Sequence, residues 1–298
     1  MPTVNLTPVE LRNGRWYKRE DHHRADFGVN GSKLRACQHL LQLAAERGAT
    51  RIVSASSVLS PQSAMAAVVA RDLGLPCTLI YGATRPETVV RHIAPVIAAS
   101  AGGEFEFVPV GFNPYLQRAA RIRQANEPGS YVLNYGITPP GDATPADVEA
   151  FHRSAAEQVH NLPVNVETLV IPFGSGNSAA GVLYGLHRYG PVGVRRVVLV
   201  GIGPSRRAWL HERLDRLGVD FDLTPVRIEV IDLHAMRYAS YAQRMPGQAD
   251  GIDLHPTYEG KVVRYLDETK PPWWMRRDGT TALWIVGGQI GTKAKVKA

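Results

Sequence analysis

Hydrophobic and polar positions along this chain switch repeatedly between two periods. Leu34, Cys37, Leu41 and Ala44 recur at helical spacing and the pattern stops at Gly48, which predicts a helix with one buried stripe. Residues 51–55 then read as a short buried strand, and 62–73 as an alanine-rich helix closed by Gly74. The alternation continues through strand 77–81, a helix over about 86–99, strand 105–110, helix 115–124 and strand 131–135. Thr144-Pro145-Ala146-Asp147 predicts a helix start, with a capping threonine, proline at the first helical position and an acid in the first turn. Strand 168–173, helix 178–187, strand 196–200, helix 206–217 and strand 227–231 follow. Short apolar strands separated by helices imply crossover connections, and therefore an α/β fold with mostly parallel sheets. The turn-rich stretch 137–142 marks the expected break between two alternating runs.

Composition changes this picture little. The 298 residues allow one large or two moderate domains, and 44% hydrophobic with 20% charged residues is ordinary for a globular protein. No apolar run approaches the roughly 20 residues needed to span a bilayer, and residues 1–12 lack the layout of a secretory leader. Cys37 and Cys77 sit in apolar-periodic segments and read as reduced packing residues, which points to the cytoplasm. Neither a CxxC nor an HExxH motif is present, so no metal site is expected. A formal charge of +7 fits a plain basic surface first and an anionic ligand second, with nucleic acid a further option. The arginines are dispersed, and the one short basic cluster is Lys293, Lys295 and Lys297.

Two segments carry candidate chemistry. Lys33 follows the small-residue turn Val29-Asn30-Gly31-Ser32 and precedes a helix, a setting that aims an amine into a cleft, where desolvation would let it form a Schiff base. Taken alone, a solvated lysine is the commoner state. Gly174-Ser175-Gly176-Asn177-Ser178 joins a buried strand to a helix, so that backbone N–H groups and the two serine hydroxyls can bind an anion. The spacing also satisfies G-x-G-x-x-A, but the next strand ends Val200-Gly201-Ile202-Gly203 without the acid a dinucleotide ribose requires. A single phosphate is the better functional reading, and a tight structural turn is the alternative.

Lysine turn, glycine loop and element order together resemble the fold-type II pyridoxal-phosphate (PLP) enzymes, within them the aminocyclopropane-carboxylate deaminase and D-cysteine desulfhydrase group. Lys18-Arg19-Glu20-Asp21 followed by Asn30 and Lys33-Leu34-Arg35 is similar to that group's lysine signature, and Pro256-Thr257-Tyr258-Glu259-Gly260-Lys261 to its P-x-Y-E-G-K segment. The resemblance implies Lys33 as the Schiff-base lysine and Gly174, Ser175, Gly176, Asn177 and Ser178 as the phosphate cradle. It places Glu259 at the pyridine nitrogen and Tyr258 at the substrate. A carboxylate there keeps the nitrogen protonated and the ring electron-withdrawing. Ser60 lines up with the group's substrate serine, but Pro61 stands where an asparagine would bond the cofactor's ring hydroxyl. Proline offers no donor, so Gln62 or Ser57 are the candidate replacements. Residues 235–253 are short relative to the group, leaving Tyr238 and Tyr241 as candidates for a second substrate-facing tyrosine. Residues 284–289 resemble its terminal strand and glycine turn.

The expected architecture is therefore tryptophan synthase β-like, with two three-layer α/β domains. Residues 1–46 and 141–298 form the larger, cofactor-binding domain and 47–140 the smaller inserted one, with the site in the cleft. The expected activity is a PLP-dependent lyase or deaminase acting on a small amino acid by α,β-elimination or deamination, in a homodimer with no membrane association. Two alternatives stand beside it: an enzyme adapted to an amino-acid group on a larger polyanion such as nucleic acid, and a PLP-binding protein without turnover.

Overall fold

The computed structural model describes residues 5–190, 193–220 and 226–288. Along the chain run β1 (Val9–Arg12), β2 (Arg15–Arg19), α1 (Ser32–Glu46), β3 (Arg51–Ala55), α2 (Gln62–Asp72), β4 (Cys77–Gly82), α3 (Ile93–Ser100), β5 (Glu104–Val108), α4 (Asn113–Asn126) and β6 (Ser130–Leu133). They are followed by α5 (Pro145–Ala156), β7 (Thr168–Phe173), α6 (Asn177–Tyr189), β8 (Arg196–Gly201), α7 (Arg207–Arg216), β9 (Arg227–Asp232), β10 (Gly247–Ala249), β11 (Ile252–Leu254), α8 (Glu259–Thr269), α9 (Pro272–Met275) and β12 (Thr281–Ile285). The chain divides into two compact units. Unit 1 holds the described residues of Met1–His23 and Thr144–Gly287, and unit 2 those of Arg24–Ala143 and Gly288–Ala298.

In unit 1 the sheet order is β1-β2-β12-β7-β8-β9, parallel throughout except for the β1–β2 hairpin. Side chains alternate between the two faces, as a strand's period of two requires. Leu169, Ile171, Val197, Leu199 and Trp284 pack with residues of α5, α6 and α7, while Val170, Val198, Leu283 and Ile285 pack with Val262, Leu266 and Trp274 from α8 and α9. Helices thus cover both faces, which is why these strands read as near-continuous apolar runs. The expected N-cap at Thr144 is present, with Asp147 N–H donating to Thr144 Oγ1 at 3.2 Å, and the Asp147 carboxylate accepts in return from Thr144 N–H at 3.2 Å. Lys18, the first residue of the Lys-Arg-Glu-Asp segment, is fully buried and donates to Thr7 O at 2.8 Å and Asn161 Oδ1 at 2.7 Å, so it ties the N-terminal segment to unit 1.

In unit 2 the order is β5-β4-β3-β6, all parallel. Val53, Ala55, Ile80 and Val132 face Leu116 and Ala120 of α4, and α2 lies on the other side, where Gln62 reaches Ser54. Small residues let α2 be buried on almost every face. Residues 24–46, which the sequence reading placed with the larger domain, cluster in unit 2 because α1 packs against α2 and β6. The helix expected over 86–99 is instead a 3₁₀ turn, Pro86–Arg91, and α3, separated by His92 in extended conformation. The break places Pro95 in the first turn of α3, where its missing N–H has no bond to lose. No helix among the described residues is long and apolar enough to cross a membrane.

Candidate active site

The glycine loop sits where β7 ends and α6 begins. Gly176 caps α6 at φ 93°, a left-handed conformation, and a Cβ built there would lie 2.4 Å from the Trp209 ring. Only glycine satisfies both conditions. The first intrahelical bond is Ala180 N–H to Gly176 O at 2.8 Å, so the preceding N–H donors and the positive end of the helix dipole are directed past the helix end, toward the loop. Gly185 anchors α6 by letting α5 approach, since a Cβ there would stand 2.3 Å from Ala156 O. Gly176→Ala is expected to destabilise the protein by at least about 2 kcal/mol, from backbone strain and displacement of Trp209. Thermal unfolding, with cofactor retention on dialysis, measures it.

Tyr258 and Glu259 open α8. A Cβ on Gly174 would lie 3.4 Å from Tyr258 Cε1, so the tyrosine ring borders the glycine loop. Its hydroxyl lies 3.2 Å from that of Tyr241. Tyr238 instead donates to Glu268 at 2.7 Å and packs edge-on against Tyr265, so Tyr241 is the tyrosine brought to Tyr258. Glu259 is fully buried; its Oε1 accepts from Val286 N–H at 2.6 Å and Gly287 N–H at 3.3 Å, while Oε2 is buried with no hydrogen-bond partner among the described residues. Burial pushes the carboxyl up to about 8, and the backbone donors offset this only in part. Sequence reasoning missed the role of Lys261. Fully buried, it donates to Ser240 O at 2.7 Å and Tyr241 O at 3.0 Å, clamping the segment that carries Tyr241.

Unit 2 carries the remaining predicted residues. Lys33 is the second residue of α1, half-buried, behind Gly31 at φ 96°. Asn30 donates to Gly28 O at 3.0 Å and accepts from Gly288 N–H at 2.8 Å, which holds the lysine turn. Ser60 Oγ accepts from Gln62 N–H at 3.3 Å, and Pro61 caps α2 without a side-chain bond. Gln62 is buried, with Nε2 within 3.4 Å of Ser54 Oγ, Leu133 O and Asn134 O and Oε1 accepting from Gly136 N–H at 2.9 Å. Its amide is committed to the frame of unit 2, whereas Ser57 is exposed and its Oγ accepts from Leu59 N–H at 3.3 Å, which leaves the hydroxyl proton to donate. Gln289 and the Lys293, Lys295 and Lys297 cluster lie outside the described residues. Among the described residues no group of three His, Cys, Asp or Glu could hold a metal ion.

The family model for pyridoxal-phosphate dependent enzymes matches residues 2–264. The chain belongs to that family. It is 31% identical to an O-seryl-dTMP PLP-dependent decarboxylase of Salmonella phage ViI, over 92% of this chain and 78% of that protein. It is also 25% identical to the 1-aminocyclopropane-1-carboxylate deaminase of Rhizobium radiobacter, over 84% and 79% respectively. The crystal structure of an ACC deaminase homologue superposes with a TM-score of 0.71 at 22% identity, covering 96% of this chain and 90% of that one. The fold is that of the fold-type II PLP enzymes.

Two observations in unit 1 fit this cofactor. The glycine loop runs directly into the N-terminus of α6, whose first N–H groups and positive dipole end suit a phosphate. The orphaned Oε2 of Glu259 is a buried acceptor, and a protonated pyridine nitrogen is a donor of matching charge.

Proposed function

We propose that this PLP-dependent enzyme is a lyase that removes carbon dioxide from an amino-acid group carried on a nucleotide. The 31% identity to the phage O-seryl-dTMP decarboxylase, spread over 92% of the chain, carries the reading. Pro61 and the committed Gln62 support it, because the segment that borders a small substrate in the deaminases is rebuilt here. In this reading Lys33 holds the cofactor, Gly174 to Ser178 receive its phosphate and Glu259 faces its ring nitrogen. The bound cofactor supplies an electron sink for the pair left at Cα. Tyr258 and Tyr241 orient the amino-acid group and exclude water from it. The bond between Cα and the carboxylate breaks, carbon dioxide leaves, and the Lys33 amine or the Tyr258 hydroxyl returns a proton to Cα.

A second reading, deamination of a small amino acid, is favoured by the Pro256–Lys261 motif with Tyr241 beside Tyr258. Holoenzyme incubated separately with O-seryl-dTMP, 1-aminocyclopropane-1-carboxylate, D-cysteine and L-serine separates the two. Carbon dioxide and a decarboxylated nucleotide are expected from the first substrate. Ammonia from the small amino acids, with the nucleotide untouched, would replace the first reading by the second.

A further inference from the structure

Three successive loops leave the C-terminal ends of β7, β8 and β9, the edge at which open α/β sheets bind ligands. The first is the glycine loop. The second, after β8, runs through Gly203 to Arg206 and Arg207, and the third, residues 233–246, carries Tyr241 between Arg237 and Arg244. The second and third loops meet at Tyr241, since a Cβ on Gly203 would lie 3.1 Å from its ring. Trp209, one turn into the helix after Arg206 and Arg207, closes on Gly176 of the first.

All four arginines are exposed, and among the described residues none has a carboxylate within ion-pair distance or a side-chain hydrogen bond. Some other exposed arginines of unit 1 are paired, as Arg264 is to Glu268 at 3.0 Å and Arg277 to Asp250 at 2.8 Å, whereas Arg195, Arg227 and Arg276 are likewise unpaired but lie on other loops and strands. Residues 233–246 contain no acid at all. Nor does this loop hang loose. Leu233 N–H donates to Gly201 O at 2.9 Å, Lys261 holds the carbonyls of Ser240 and Tyr241, and Met245 N–H donates to Pro256 O at 2.8 Å. Tyr241 is 41% exposed while Tyr258, on which its hydroxyl rests, is 6% exposed. The tyrosine pair therefore runs from solvent to the interior, on a loop that also carries Arg237 and Arg244.

We propose that Arg206, Arg207, Arg237 and Arg244 are the specificity-determining residues for a phosphate-bearing substrate. They receive its phosphate at the rim while its amino-acid group extends inward past Tyr241 to Tyr258. Guanidinium groups suit this task because they stay charged and bond phosphate oxygens in pairs. The proposal rests on the reading of a nucleotide-linked substrate and extends it to named side chains.

The test uses holoenzyme and two probes, dTMP and a single-stranded oligothymidylate, with binding followed by calorimetry at low and moderate salt. Three double variants are compared with the parent: R206A/R207A, R237A/R244A and, as a charge-matched control, R118A/R121A on α4 of unit 2, whose arginines are also exposed. Binding of at least one probe is expected, weakening with salt. Each rim variant should lose roughly 5- to 10-fold in affinity, with unchanged unfolding temperature, and the control should match the parent. The probe bound more tightly tells whether the phosphate belongs to a free nucleotide or to a nucleic-acid strand. No binding of either probe, equal binding by the rim variants and parent, or an equal loss in the control would overturn the proposal. Turnover of O-seryl-dTMP by the parent is scored separately. Its absence rejects the proposed reaction, while unaltered turnover and KM in the rim variants reject the rim alone.

Discussion

Replacing Lys33 with alanine is expected to lower turnover by roughly 10²- to 10⁴-fold, the range lost with a positioned proton-transfer group, and to end covalent attachment of the cofactor. Alanine suits the first turn of α1, and neither Gly31 nor the Asn30 bonds to Gly28 and Gly288 depend on the Lys33 side chain. A loss of activity in K33A with an unchanged unfolding temperature is then a loss of chemistry. Arginine will not rescue it, because a guanidinium stays protonated and cannot act as a nucleophilic amine. The decisive measurement is the intact mass after borohydride treatment, which fixes the cofactor to the chain in the parent and leaves K33A unmodified. The rival amine is Lys261. Burial lowers its pKa to about 8, a property of Schiff-base lysines, yet its ammonium is held by the carbonyls of Ser240 and Tyr241. If K33A still traps the cofactor while K261M does not, the two roles have been assigned the wrong way round.

Glu259→Gln separates the electronic role of the carboxylate from its structural one. A glutamine oxygen can still accept from Val286 and Gly287, so the glycine turn keeps its support, but an amide cannot hold the ring nitrogen protonated. Turnover should fall by about 10²-fold or more, an electrostatic loss of the size seen when a preorganised partner is removed. The pH dependence of stability gives an independent readout. The buried carboxyl has its pKa raised from 4.5 to about 8, so between these values the folded cofactor-free protein keeps a proton that the unfolded chain has lost. Its contribution is therefore fully present below about 4.5 and declines as pH rises through about 8. The shift corresponds to a loss on the order of 5 kcal/mol across that window. In thermal melts of the cofactor-free protein, E259Q should flatten this decline, and bound cofactor should reduce it in the parent. Equal slopes in parent and variant would show that Glu259 does not titrate in this way.

What could be read from the sequence was local. Strands at 51–55 and 168–173 and the helix start at Thr144 depend on neighbours within a few residues, and they stand where the pattern places them. The β1–β2 hairpin escaped the alternation because its signal is a dipeptide. Asn13 and Gly14 both take positive φ, 46° and 72°, the tight hairpin geometry that Asn-Gly favours. The candidate site divides along the same line. The motifs named Lys33, the glycine loop and Tyr258-Glu259, but Glu259 owes its burial and its bonds to residues 27 and 28 positions on. The choice of Tyr241 over Tyr238 follows from which hydroxyl meets Tyr258 and which meets Glu268. Gln62 was set aside as the replacement for the missing asparagine only by partners up to 74 positions away.

The place of β12 between β2 and β7 has a consequence for how the chain is made. Unit 2's strands all lie within residues 51–133, so its sheet can close while the ribosome is still extending the chain. Unit 1 is different. Its β1–β2 hairpin emerges well before β7 and then waits for Thr281–Ile285 before β2 gains its inner neighbour. Until those residues leave the exit tunnel, β2 and β7 each expose an unpaired apolar edge, the kind of surface that recruits other strands. The nascent enzyme is thus most vulnerable to aggregation after β7 has emerged and before Thr281–Ile285 joins it. A chain stopped short of Thr281 would keep the sheet of unit 2 but leave that of unit 1 split between β2 and β7.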